Sequence, residues 1–519
     1  MTKKHYLGLF VLASVLFFGV ALFQQSPGYM DADYYLANAR LLLHGHGFYE
    51  PYIWNYLTNP TAIPTEAFTY WMPLTSLLAT ASMIVFRSEA FLASRILLIL
   101  IAAAIPPLTA YLCMLLTENR TKANLAGLLA ILPGFYLTFL TTTDSFGLYM
   151  LLGGIFIILV QRLFSNKHLS MAAIGLGVVA GLLHLSRADG LVWLITGGVV
   201  IFVFWILFPQ KLSKLLLNLA IYGMGYMGIM VAWYSRNYQL LGKFFPPGGS
   251  KTLWLTVYDQ IYLYPPSLLN FQTWLESGWS SILGARWWAS TQNLQTFLAV
   301  QGLIFLLPLI LLGLWRLRKT AAVKTGFAVW LSFFLIFTFV LPFPGARGSF
   351  YHAGASLQVL FWSVIPSGLD VLLEFGVRHR NWNMDRARHV FQVGTILLAA
   401  AFTLIISVNN LKLNSDSAWG GYIQRYARVE DKLDALDPTH QEIIMVNNPP
   451  GYYLATGRPA IVIPYGDTGA VLNAAKKFGA KYLMLEPNTN FPEIYQDPMN
   501  TSWMRYLTNV DQIQLYELP

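Results

Sequence analysis

What constrains this chain most is a series of eleven apolar stretches, each without a formally charged residue and long enough to cross, or nearly cross, the hydrocarbon of a bilayer. A helical span takes about 17 to 25 residues. Such runs lie at residues 6–23, 96–116, 123–143, 145–160, 169–185, 190–208, 215–234, 294–315, 325–341, 353–369 and 390–408. Because lipid offers no hydrogen bonds to a backbone, runs of this length are expected to be helices, giving an α-helical polytopic membrane protein of about 11 spans. Composition agrees: of 519 residues 55% are hydrophobic and only 11% charged, whereas soluble domains run near a quarter charged. A water-soluble globule is excluded. The net charge of +9 does not point to nucleic acid, since the basic residues fall in short clusters between apolar runs. The single cysteine, Cys113, sits inside a run, so neither a disulfide nor a Cys-based zinc site is available.

The apolar pattern stops near residue 410. Residues 411–519 hold 12 of the 25 acidic residues and 9 of the 34 Lys and Arg, which is the composition of an ordinary soluble domain. Short runs at 442–446, 459–464, 480–486 and 513–517 read as strands, with a helix at 468–479 between two of them. The division is therefore a transmembrane domain over 1–410 and a small C-terminal α/β domain over 411–519, with helix packed on sheet.

Charge sets the expected topology. The first run follows Lys3 and Lys4 but lacks a small-x-small cleavage site, so it reads as a retained anchor. Pro73 to Phe86 is apolar for only 14 residues, about 21 Å as a helix, and reads as a juxtamembrane helix of the first outer loop. With the N-terminus cytoplasmic, clusters such as Arg316, Arg318 and Lys319 fall inside, and the short outer connections carry only Arg187 and Arg347. Were Pro73 to Phe86 a span, later loops would change sides and break this pattern. The expectation is a multi-pass cell-membrane protein with an extracytoplasmic C-terminal domain.

The expected outer face collects the chemically active residues. Asp31 and Asp33, separated by Ala32, follow the first span: they could hold a divalent cation, one could act as a base, or Asp31 could simply cap a helix from Ala32 to Leu43. Asp144 stands between the third and fourth spans with no basic neighbour in sequence, either as a functional carboxylate or as a helix cap. If the first loop folds back, Asp31, Asp33 and Asp144 converge on one site, and the three together are the candidate metal ligands. Arg187 offers a planar fork for a phosphate, with Asp189 orienting it or merely pairing with it. Arg347 between glycines, His352 beyond it, and Lys251 in a Pro-Gly-rich turn complete the candidates for an anionic ligand.

The order of these features resembles a family. An uncleaved first span, a long loop with an early acidic motif, a proline-led apolar helix at Trp71-Met72-Pro73-Leu74 and a second acid closing the segment Ala126–Asp144 look like the membrane glycosyltransferases of the GT-C fold. Within them the chain is most similar to the protein-mannosyltransferase and lipid A aminoarabinose-transferase group, with some likeness to the oligosaccharyltransferase catalytic subunit over residues 123–150. The resemblance covers residues 1–240. It implies transfer of a sugar from a polyprenyl-phosphate carrier, with inversion, to a protein, lipid or glycan acceptor outside the cytoplasm. It also implies that Asp31 is the first-loop acid and Asp144 the second-loop acid. The sequence departs from the Asp-Glu pair of the mannosyltransferases by having Asp31-Ala32-Asp33, and lacks the tripeptides of a glycan-to-asparagine transferase. The competing class is a transporter or flippase of a lipid-linked glycan, which buried charges along the spans would favour.

Overall fold

The computed structural model describes residues 2–166, 169–412, 419–489, 491–499 and 501–519; positions 413–418, just past the compositional boundary, lie outside the described residues. Nine helices among the described residues are long and apolar enough to span a membrane, from Lys3–Ala21 (α1) to Met384–Leu411. The two remaining apolar runs fold differently. Run 123–143 is a bent pair, Arg120–Ile131 and Gly134–Leu140, meeting at 47° where Pro133 interrupts the helix. Run 294–315 breaks after Gly302, with Leu303 and Ile304 at positive φ, and leaves the shorter helix Leu307–Arg316. Pro308, which has no N–H to give to a preceding turn, sits at the start of that helix and suits a beginning rather than an interior.

Two shorter helices build the first loop. Helix α2, Met30–Leu43, lies against α3, Leu74–Phe86, through small polar residues: Ser76 donates to the Tyr35 carbonyl at 2.9 Å and Thr80 to that of Ala39 at 3.0 Å. At 13 residues, α3 is about 20 Å long, short of a bilayer's hydrocarbon, as its sequence predicts. Arg87 ends it in the left-handed region, φ 50°.

The remaining loop forms three two-residue strands: β1, Tyr49–Glu50; β2, Tyr52–Ile53; and β3, Thr65–Glu66, which pairs with β1. The C-terminal region supplies β4 (Ile443–Val446), β5 (Ala460–Val462), β6 (Ala480–Leu485), β7 (Arg505–Val510) and β8 (Ile513–Glu517). These join in one six-stranded sheet, order β2-β5-β4-β6-β8-β7, parallel from β2 to β6 and antiparallel thereafter. Its edge strand β2 comes from the first loop, with Tyr52 opposite Ala460 and Ile53 opposite Ile461. Tyr56 reinforces the seam by donating to the Val462 carbonyl at 2.5 Å. Apolar β-branched strand residues pack under the crossover helix Thr468–Phe478, which Asp467 caps and Gly479, at φ 73°, ends. The sheet is thereby tied to the same loop that carries the acids.

Candidate active site

Local sequence explains how the two acidic segments meet. Between α1 and α2 the chain must turn, and its carbonyls need donors. The threonine run before Asp144 supplies them: Thr142 donates to the Pro27 carbonyl at 2.9 Å and Thr143 to that of Ala32 at 2.8 Å. Thr141 bonds the Gln24 side chain at 2.8 Å. Arg95, 2% exposed, then clamps both strands of this seam, donating to the carbonyls of Ala21, Gln24 and Thr141 at 2.7 to 2.9 Å. A guanidinium with five donors, held on neutral oxygens of two segments, fixes their relative position.

The seam brings Asp31, Asp144 and His352 together: one ligand atom from each lies within 4.8 Å of the others. Asp144 is held from three sides. Tyr29 donates to its Oδ2 at 2.5 Å, the Ser145 hydroxyl donates to Oδ1 at 3.0 Å, and the Ser145 amide also bonds Oδ1. His352 Nε2 faces Oδ2 at 3.4 Å. Its ring stacks on Phe146 at 3.9 Å, and its Nδ1 lies 3.0 Å from the Gly348 carbonyl. A carbonyl can only accept, so Nδ1 carries a hydrogen, leaving Nε2 to donate as imidazolium or to offer a lone pair. Burial pushes the Asp144 carboxyl up, but His352, Tyr29 and Ser145 together outweigh it and hold the group below its usual range. Asp31 receives no such help. Burial first and the Asp144 charge second push it up to about 6, against the pull of His352 and Arg187.

Asp31 and His352 line a cavity of about 390 Å³, together with Arg187, Asp189 and Arg347. Arg187 pairs with Asp189, Nε at 3.2 Å and one terminal nitrogen at 2.9 Å. Its other terminal nitrogen makes no hydrogen bond among the described residues. Burial alone would lower Arg187, yet Asp189 beside it raises the guanidinium further above its usual value and keeps it charged. Arg347 lies 5.3 Å from the Tyr258 ring centre, beside Gly348 at φ 142°, a conformation suited to glycine. The rest of the wall is mainly aromatic and aliphatic, including Trp54, Tyr70, Trp71, Phe333 and Phe337, with Thr252 and Ser349 among them.

Two expected members stand elsewhere. Asp33, fully buried, turns away from Asp31 and accepts from Tyr422 at 2.6 Å and Asn448 at 2.8 Å, both in the C-terminal region. Burial pushes it up to about 7 despite those bonds. Lys251 donates to the Leu269 carbonyl at 3.0 Å and does not line the cavity, although its neighbours Gly249 and Thr252 do. Nor does Asp31 cap α2, which begins at Met30 with Tyr29 as its cap residue; the carboxylate is inside the first turn. Tyr29, the residue that holds Asp144, went unnoticed in the sequence, where a tyrosine two positions before an acid carries no signal.

Two carboxylates and an imidazole are hard-to-borderline donors that suit a divalent cation, and their mutual distances fit one. Asp33 is excluded from that set by its own partners.

No family model matches this sequence, and no curated protein resembles it closely. Solved structures do resemble the fold. The archaeal oligosaccharyltransferase AglB from Archaeoglobus fulgidus, in complex with an inhibitory peptide and a dolichol-phosphate, is 14% identical with a TM-score of 0.57, over 94% of this chain and 70% of that one. An oligosaccharyltransferase from the same organism, in complex with Zn and sulfate, gives 14% and 0.56, over 98% and 73%. ArnT from Cupriavidus metallidurans, bound to undecaprenyl phosphate, gives 12% and 0.56, over 99% and 98%. The chain therefore has the GT-C fold of membrane glycosyltransferases.

Proposed function

We propose that this protein is an inverting glycosyltransferase that takes a sugar from a polyprenyl-phosphate donor and passes it to a protein, lipid or glycan acceptor on the extracytoplasmic side of the membrane. One observation carries the reading: Asp31, a carboxylate with no side-chain donor among the described residues, shares a cavity with two arginines, Arg187 and Arg347. Inverting transfer from a lipid phosphate needs that pairing. The transition state resembles an oxocarbenium ion, with negative charge growing on the departing phosphate and a proton leaving the acceptor.

Asp31 is the base. A carboxylate near 6 is ionised at neutral pH and still basic enough to share the acceptor's proton as the nucleophile forms its bond. Arg187, oriented by Asp189, and Arg347 stabilise the phosphate that leaves. The apolar wall of Phe333, Phe337 and Leu341 suits the first carbons of a polyprenyl chain. Asp144 and His352 stand beside Asp31, and the three together would hold a divalent cation. Such a cation would neutralise phosphate charge.

The reading is tested by native lipid mass spectrometry of the purified protein, which should find a polyprenyl-phosphate sugar in the wild type and less of it in Arg187→Ala. Sidedness is tested with a cysteine at exposed Asn488, which should react with a membrane-impermeant reagent in intact cells. Protection until lysis would place the C-terminal sheet inside and overturn the extracytoplasmic assignment.

A further inference from the structure

A second cavity, of about 430 Å³, lies outside the one that holds Asp31. Its position follows from the sheet. From β4 the chain crosses through helix Pro449–Thr456 to β5 on one side, then returns through helix Thr468–Phe478 to β6 on the other. The connections thus reverse direction between β4 and β6. Such a reversal leaves an open crevice at the carboxyl ends of the two strands, uncovered by either crossover. Asn448 comes two residues after β4 and Glu486 directly after β6, and both line the cavity.

The lining has a definite chemistry. Glu486 is fixed by Asn447 at 2.8 Å and the Tyr426 hydroxyl at 3.1 Å, one on each carboxylate oxygen. Each oxygen keeps a further lone pair for an incoming hydroxyl. Tyr422 and Tyr426 present rings 5.5 Å apart at 63°, and Asn488 stands exposed at the rim. Arg425 and Glu486 share the lining, and Asp511 is paired with Arg428, so the crevice carries no surplus positive charge to draw an anion. A nucleotide, the usual guest of such a crevice, is disfavoured. Paired carboxylate and carboxamide groups beside tyrosine rings match a neutral ligand rich in hydroxyls.

The crevice also adjoins the acids. Tyr29, part of its lining, donates to Asp144; Tyr422 and Asn448, also part of it, donate to Asp33. These contacts bracket Asp31 two residues before and two residues after it. We propose that this switch-point crevice binds a neutral saccharide unit of the acceptor, which makes the acceptor a glycan. The proposal rests on the glycosyltransferase reading given above and deepens it.

The test uses full-length protein in lipid nanodiscs and saturation-transfer NMR with chitobiose, maltose and lactose as probes, each free and as an alkyl glycoside. At least one should bind, and Glu486→Gln should weaken it about tenfold, the scale of one charged hydrogen bond. Asn488→Trp, which fills the rim without touching the Glu486 network, should abolish binding with an unchanged unfolding temperature. Tighter binding of the alkyl form would mark a glycolipid carrier; equal binding would mark a free or protein-borne glycan. Both support the proposal. No saccharide binding by the wild type, or binding that neither substitution alters, overturns it. Hydrolysis of a polyprenyl-phosphate sugar, assayed separately, distinguishes the two claims: donor turnover without saccharide binding sinks only the crevice, and saccharide binding without donor turnover sinks only the transferase.

Discussion

Asp31 and Asp33 differ by two positions in sequence and by almost everything in surroundings. One faces a cavity with Arg187 and His352; the other is sealed against Tyr422 and Asn448. The cause is helical geometry. At about 100° per residue, positions i and i+2 point about 200° apart, so two acids spaced this way on a helix cannot serve one site. The same spacing on an extended strand would put both on one face. Under the proposed function the pair divides the labour, with Asp31 serving the chemistry, while Asp33 fastens Tyr422 and Asn448 of the C-terminal region to the helix that carries Asp31.

Substitutions should separate these roles. The largest effect is expected from Asp31→Asn, which keeps the shape and removes the base. Transfer should fall by about 10² to 10⁴, with the unfolding temperature held. A near-normal rate would erase the distinction. Acid should act next. Asp31 works only when ionised, so the rate should drop about tenfold per pH unit below about 6. The sign of the stability term is opposite. A folded carboxyl raised above its ordinary value makes the fold lose stability as pH rises through this window, so acid inactivation here is not unfolding by this group. A rate unchanged between pH 7 and 5 would contradict the assignment. Arg187→Lys should follow, raising the donor KM by about tenfold because a point charge replaces a fork, with acceptor KM less affected. Asp33→Ala should move rate least, by under tenfold, while costing about 1 to 3 kcal/mol in an unfolding titration, because two half-buried donors lose their buried acceptor. If Asp33→Ala proved as inactive as Asp31→Asn and equally stable, the division of roles would be reversed.

What was legible in the sequence follows from which forces act locally. Span positions, the short α3, and four strands of the tail were visible because apolar periodicity depends on nearest neighbours. Strand β7, Arg505 to Val510, is not among the strands read from the sequence, since its apolar and polar residues alternate only weakly. The invasion of the tail's sheet by β2 was invisible, since two residues hold no pattern and their partner lies some four hundred positions away. The broken run at 294–315 shows the converse limit, where composition alone read through Gly302 and Pro308. At the site, Asp31, Asp144, Arg187, Arg347, Asp189 and His352 were each conspicuous as polar residues at span ends, and the fold gathers them. Asp33 and Lys251 carried the same signal but found protein partners instead. Tyr29 and Arg95 acquire their roles only through contacts distant in sequence, Tyr29 with Asp144 and Arg95 with Ala21, Gln24 and Thr141.

The central claim is that Asp31 removes the acceptor's proton while a sugar leaves a lipid phosphate. Its most direct test is transfer of a radiolabelled sugar from a polyprenyl-phosphate donor by purified protein, with the anomeric configuration of the product determined beside that of the donor. The account predicts release of polyprenyl phosphate, an inverted anomeric centre, and loss of both in Asp31→Asn that still takes up the donor. Retention of configuration, or undiminished inverting transfer by Asp31→Asn, would contradict it.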